Sequence, residues 1–287
     1  MQVDGPKEPF DLGGMLMGKV SDAPYVELPG ITISLPHWEP VQLGPLLIDF
    51  SPTKMTVFMA LAGLLCLLVF PAVARAYRGS AGERAPTGFA NAVEAFIVFF
   101  RDRVVRANIG HGADAFTPYI LSLFFFILFM NLLGLVPFGI SPTASLSVTA
   151  ALAVLSFIII EVAGFRALGP SGYARTIFYA PEGMSPLGRA MMMIIMTPVE
   201  FMGKLTKPFA LAIRLFANMT AGKVLILSLL GLIFVFGDLA VGRWGIAGAA
   251  VIMTSAIMLL KLFVALLQAF IFAMLTAVFI GLIRHAH

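Results

Sequence analysis

Apolar residues run along this chain in long blocks joined by polar connectors, not in the brief alternating runs of a water-soluble domain. Met55 to Ala74 is 20 residues without a charge. At about 1.5 Å per residue, such a helix crosses a hydrocarbon core roughly 30 Å thick. The same pattern predicts spans over 119–138 and 144–165, the latter containing Glu161. Between the first two, Phe89, Val93, Phe96, Ile97, Phe100 and Val104 share one helical face, with basic residues following. That predicts an amphipathic helix lying in the membrane interface.

Two later blocks, 187–236 and 246–283, exceed a single crossing. The second is 38 residues interrupted only by Lys261 and Gln268; as a straight helix it would be about 57 Å long. Excess length is taken up by tilt, bending or projection from the membrane. Since no turn residues split the block, tilt is favoured. The prediction is a pair of long slanted helices forming a hairpin near "GDLAVGRWG". The fold class is thus an all-α integral membrane protein. It has about five transmembrane helical blocks, one interfacial amphipathic helix, and a last pair that is long, tilted and hairpin-like.

Composition agrees. The chain is 60% hydrophobic and 12% charged, against about 25% charged in soluble domains. Cys66 is the one cysteine, so no intrachain disulfide, CxxC redox pair or Cys/His metal spacing exists. Charge sorts by segment. Residues 1–50 carry two basic and seven acidic residues and form a polar, Pro-rich arm, without the basic and apolar regions of a signal peptide. Residues 51–287 form one helical membrane domain. Of the residues flanking the spans, ten arginines fall on one side: 75, 78, 84, 101, 103, 106, 166, 175, 189 and 284. Lys7, Lys19, Lys54 and Arg243 fall on the other. By the positive-inside rule the N-terminal arm is extracytoplasmic and the C-terminus cytoplasmic.

The informative residues are the polar ones inside apolar blocks. At about 100° per residue, Glu200, Lys204, Lys207, Arg214 and Asn218 lie within about 80° of one another, provided Pro208 does not rotate the helix. Lys223 points to the opposite side from Arg214. Lys261 and Gln268, seven apart, share a face of the last block. Intramembrane charges face a bundle interior or a watery cavity and mark ion pathways. Blander roles exist for several. Lys204 and Lys207 can snorkel to headgroups, Glu161 can sit at an interfacial helix end, and Asn131 and Asn218 can bond between helices. Arg214 has no such role: it is deep, and no acid stands three or four residues from it.

"KPFALAIRLFANMTAGK", "LFVALLQAFIFAMLTAVFIG" and "FFFILFMNLLGLVPF" closely resemble subunit a of bacterial F-type ATP synthases. The resemblance covers about residues 50 to 284, in the family's order. It implies a proton-translocating stator beside a rotating ring of c subunits. Protons would reach and leave the ring carboxylates through two offset half-channels. Arg214 matches the family's essential arginine, and Asn218 and Gln268 its polar neighbours. Glu200 matches an acid on the cytoplasmic exit side. Asp49 and Asn131 match entrance-side positions. Lys223 and Lys261 depart from the family, standing where many relatives carry a carboxylate or histidine; both are entrance half-channel candidates. Gly134 and Gly139 stand where some relatives have acids. The implied partners are the c-subunit ring, the b-subunit stator stalk, the remaining ATP synthase subunits and membrane lipid, with no nucleic acid. The implied location is the bacterial inner membrane, with multiple passes. No cofactor or metal is implied. The chain lacks GxxxxGK[ST], so ATP chemistry would lie in partner subunits and this chain would not itself be an enzyme. A secondary transporter with a mid-membrane polar site is the alternative; it would favour internal repeats, which the sequence lacks.

Overall fold

The computed structural model describes residues 22–28, 31–43, 46–49, 51–79, 88–136, 139–178, 186–235 and 243–284. Two antiparallel hairpins precede the helices, a departure from all-α within the expected arm. β1 (Tyr25–Leu28) pairs with β2 (Ile31–Ser34), and β3 (Val41–Leu43) with β4 (Leu46–Ile48). The strands are rich in Val, Ile and Thr, which suit a pleated surface. Pro–Gly and Gly–Pro pairs separate them in the sequence, and such pairs favour turns. Residues 1–21 lie outside the described residues.

The arm is tied to the first helix, α1 (Lys54–Gly79). Lys54 N donates to Ala23 O at 3.0 Å, and Met55 N to the Asp22 carboxylate at 3.3 Å. First-turn amides have no intrahelical acceptor, and a carboxylate there also meets the positive end of the helix dipole.

α2 (Phe89–Phe100) widens into a π-helical turn over Arg101–Arg106 and ends in α3 (Ala107–Ile109). Its apolar face turns inward as its periodicity predicts. Phe100 and Val105 are fully buried, and Phe96 and Phe100 stack on Phe124 at 5.1 and 5.2 Å between ring centres. Arg106 grips Asp114 through two nitrogens at 2.9 Å and reaches Asp102 at 3.1 Å. Hydrogen bonds from Arg101 to Asp102, and from Arg106 to Asp114, hold both carboxyls below their ordinary range.

α4 (Thr117–Leu133) is the shortest long helix, at 17 residues. The span expected over 119–138 stops at Leu133 for a steric reason. A Cβ on Gly134 would collide with Ser141, and one on Gly139 with the Leu133 carbonyl. The chain doubles back too tightly there for any side chain. α5 (Leu146–Ile177) outruns the expected 144–165 and breaks at Gly169, whose φ of 68° is left-handed, just before Pro170. Glycine alone takes that conformation cheaply, and Pro170 cannot continue the preceding helix.

α6 (Pro186–Val235) and α7 (Arg243–Arg284) are 50 and 42 residues long. They match the two blocks expected over 187–236 and 246–283. Residues 236–242, the expected hairpin, lie outside the described residues. α6 runs unbroken through Pro198 and Pro208. At about 1.5 Å per residue, both exceed a perpendicular crossing about twofold. Four described helices, α1, α5, α6 and α7, are long and apolar enough to cross a membrane.

α7 is the spine of the bundle. Ala269, Phe272, Ala273, Thr276, Ala277 and Ile280 are fully buried. Two glycines set how closely it is approached. Gly281 lies against the Asn108 carbonyl, where a Cβ would clash with backbone, and a Cβ on Gly164 would fall 2.6 Å from Ile283. Overpacking such a contact costs about 1–3 kcal/mol. Gly281→Val should therefore lower the thermal unfolding midpoint of the detergent-purified protein, whereas Gly245→Val, with open space around it, should leave it unchanged.

Candidate functional site

The polar stripe expected on α6 exists, but its members face different ways. Leu211, Ala212 and Leu215 are buried in the bundle, while Arg214 is exposed. Ala210, Ala217 and Ala221 are exposed beside it. The guanidinium thus stands on an outer face whose neighbours are methyl groups, and it makes no ion pair with a described residue. Asn218, one turn on, is half-buried. On the facing helix Gln268 is 5% exposed, and its Nε2 is buried without a hydrogen-bond partner among the described residues.

A second group of polar residues joins four elements. Asn131 of α4 is 1% exposed. Its Nδ2 donates to the Ala265 carbonyl of α7 at 3.3 Å, and its Oδ1 accepts from Thr143 Oγ1 at 2.6 Å. Ser141 Oγ lies 2.6 Å from Thr143 Oγ1. Thr143 spends its only proton on Asn131, so Ser141 must be the donor. Thr220 of α6 donates to the Ala144 carbonyl at 3.2 Å. Asn131 therefore fastens the turn after α4 to α7, and Thr220 fastens the same turn to α6. The sequence pointed to Asn131 and missed its partners Ser141 and Thr143, which come together only because the glycine turn folds back.

The two lysines lie further along. The stem of Lys261 packs on α6 at Gly222, where a Cβ would be 3.0 Å from Cε. The Lys223 ammonium is buried, next in sequence to that contact. Glycine at 222 is thus what lets Lys261 approach the turn carrying Lys223. Asp49 sits on the exposed connector before α1 and accepts from Ser51 N at 2.8 Å. Hydrogen bonds from Ser51 hold its carboxyl below the ordinary range.

On the other side of Arg214, α5, α6 and α7 enclose a cavity of about 230 Å³. Glu161, Glu200, Lys204 and Lys207 line it. Lys204, expected on the Arg214 face or snorkelling, turns inward: its side chain is 11% exposed, with Nζ 3.5 Å from Glu161 Oε2 and 3.1 Å from Thr176 Oγ1. Nζ also lies 4.5 Å from the centre of the Tyr173 ring. The Tyr173 hydroxyl donates to Glu161 Oε2. Lys207 sits over Phe279 at 5.2 Å. Glu161 is not at a helix end, because α5 runs straight to Leu168 before breaking. Nothing in the residue pattern marked Tyr173, twelve residues from Glu161; the Gly169–Pro170 pair, which turns the chain back, was the available signal. Among the described residues no cluster of His, Cys, Asp or Glu is suited to hold a metal.

Long apolar helices around buried polar contacts, with a charged side chain exposed midway along one of them, define a multi-pass helical membrane protein. The family model for the ATP synthase A chain matches residues 56–281. ATP synthase subunit a of Chloroherpeton thalassium is 43% identical, the match covering 86% of this chain and 70% of that protein. Its counterpart from Anaeromyxobacter dehalogenans is 42% identical, with 96% and 71% covered. ATP synthase subunit a 2 of Chlorobium luteolum is 45% identical, with 88% and 69% covered. The chain belongs to the ATP synthase A chain family and is a membrane-sector subunit of the ATP synthase complex.

The Asn131 contacts give a direct test of this packing. Thr143→Val keeps the shape but strands a buried carbonyl oxygen, at a cost of about 1–3 kcal/mol. Thr143→Ser keeps the hydroxyl. Thermal unfolding of the purified protein should fall for valine and recover for serine.

Proposed function

We propose that this subunit is the proton-conducting stator of the synthase, passing protons through two offset half-channels to and from carboxyl groups on a ring of c subunits. The observation that carries the reading is the exposure of Arg214. A charge at the centre of a bilayer costs upward of about 2.5 kcal/mol, and no acid among the described residues pairs with this one. Its counter-charge is therefore supplied in trans. The exposed alanines beside it allow a partner helix to approach closely.

A guanidinium keeps its proton at any physiological pH, so Arg214 cannot relay one. It attracts a passing carboxylate and favours its ionised form, which releases the proton toward the exit. Its fixed positive charge also blocks direct passage between the half-channels. Asn218 and the buried amide of Gln268 stand beside that exchange. Glu200 and its cavity belong to the cytoplasmic exit. Asp49, Asn131, Lys223 and Lys261 belong to the entrance. ATP chemistry lies in partner subunits, so the chain is not itself an enzyme, and the b-subunit stalk holds it against rotation. The basic-residue asymmetry supports a bacterial inner membrane orientation with the arm outside and the C-terminus inside.

Arg214→Ala should assemble, abolish ATP-driven proton pumping in inverted vesicles and open a passive proton leak. Arg214→Lys should also fail, because a compact ammonium lacks the guanidinium fork. Normal ATP-driven acidification by either variant would refute the assignment. Lys223→Gln and Lys261→Gln should each slow proton-driven synthesis and change its dependence on outside pH. If the double variant matches wild type over roughly pH 5 to 9, the lysines take no part in conduction.

A further inference from the structure

The cavity beside Glu200 holds a second carboxylate, which neither the family match nor the polar stripe on α6 accounts for. Glu161 comes from α5, a different helix, and its side chain is 17% exposed. Its environment is built from three parts of the chain. Lys204 and the Tyr173 hydroxyl both engage Oε2, which leaves Oε1 for exchange. Tyr173 reaches it only because the helix breaks at Gly169 and the following turns fold back; in a straight helix, twelve residues would separate them by about 18 Å. Thr176, on the same returning segment, holds the other side of Lys204.

The surroundings suit a proton carrier better than a structural ion pair. An ion pair alone gains from tight enclosure, but this one opens on about 230 Å³ shared with Glu200 and Lys207. At about 30 Å³ per water in the liquid, that holds several waters. The formal charges around the cavity are two carboxylates and two ammoniums, so a proton added at a carboxylate leaves an excess of only one charge. From α7 the described lining is Phe279, Leu282 and Ile283, so no titratable group faces Glu161 from that helix. Among the described residues, Tyr173, Lys204, Glu200 and Lys207 are the ionisable groups around it.

We propose that Glu161 is a proton-carrying residue of the exit half-channel, and that Lys204 is its positioning residue. This rests on the stator reading above. The ring carboxyl loses its proton beside Arg214, breaking an O–H bond there. The proton passes by way of Glu200 and water to Oε1 of Glu161, where an O–H bond forms. It then leaves to cytoplasmic water, restoring the carboxylate. No electrons are exchanged and no co-reactant is needed.

The test uses the whole synthase in inverted membrane vesicles. Glu161→Gln keeps the shape and can still accept from Tyr173, but cannot take up a proton. A positioned acid–base group supplies about a hundredfold or more; since cavity water can partly substitute, we expect about a tenfold loss of proton pumping and of synthesis. The response to cytoplasmic pH should flatten, while assembled enzyme and soluble ATPase activity stay normal. Glu161→Asp should restore part of the rate and the pH response. Lys204→Met should alter the pH profile, and Lys204→Arg should recover it. Wild-type rate and pH profile in an assembled Glu161→Gln enzyme would overturn the proposal. Should that variant fail to assemble, Leu282→Cys in a Cys66→Ser background decides. An impermeant thiol reagent should label it from the cytoplasmic face and slow pumping, and absence of labelling would overturn the proposal. Arg214→Ala runs alongside. If it pumps normally, the stator reading itself falls; if it fails while Glu161→Gln is normal, only the role of Glu161 falls.

Discussion

A full charge in hydrocarbon must have a partner or water, and that requirement organises this molecule around Arg214. Among the described residues, none of the bundle's acids pairs with it. Leu211, Ala212 and Leu215 fill the inward face of α6, and the arginine is left on the outward one.

The rest of the polar inventory divides on either side of that residue. Toward the turn after α4, Asn131, Thr143 and Ser141 satisfy one another and the Ala265 carbonyl. These are neutral bonds that fix helix positions in a medium where an unmet donor or acceptor costs several kcal/mol. Toward the break in α5, Glu161, Lys204, Glu200 and Lys207 bring charges to a cavity. On the first side the contacts around Asn131 are neutral, with Lys223 and Lys261 further along; on the other the cavity is lined by charges. Because Arg214 lies between them on one continuous helix, its depth is set by both.

Small residues make this arrangement possible. Apolar side chains gain little from clustering in lipid, so helix packing relies on close van der Waals contact. Gly281 against the Asn108 carbonyl, Gly164 against Ile283 and Gly222 against the Lys261 stem each mark such an approach. Gly134 and Gly139 do the same for the turn that carries Ser141 and Thr143 to Asn131. Replacing Gly134, Gly139 or Gly281 would disturb a polar group as well as a packing contact.

Much of this was legible in the residue pattern. Unbroken apolar blocks gave the last two helices to within a few residues, because a backbone in hydrocarbon must satisfy itself within a helix. The periodicity of Val93, Phe96, Phe100 and Val104 gave the buried face of α2. The motif around Arg214 gave the family, and the lack of a nearby acid already said that its partner was distant. What local pattern could not give was direction and pairing. Lys204 and Arg214 share a stripe by angle, yet one turns to Glu161 and the other outward, because α5 packs against only one side of α6. Asn131 reaches Thr143, and Glu161 reaches Tyr173, through reversals at Gly134–Gly139 and Gly169–Pro170. Sequence alone determined that this chain spans the membrane with an unpaired arginine; the tertiary structure decided which polar groups meet, since that depends on where the backbone turns back on itself and which helix faces lie against each other.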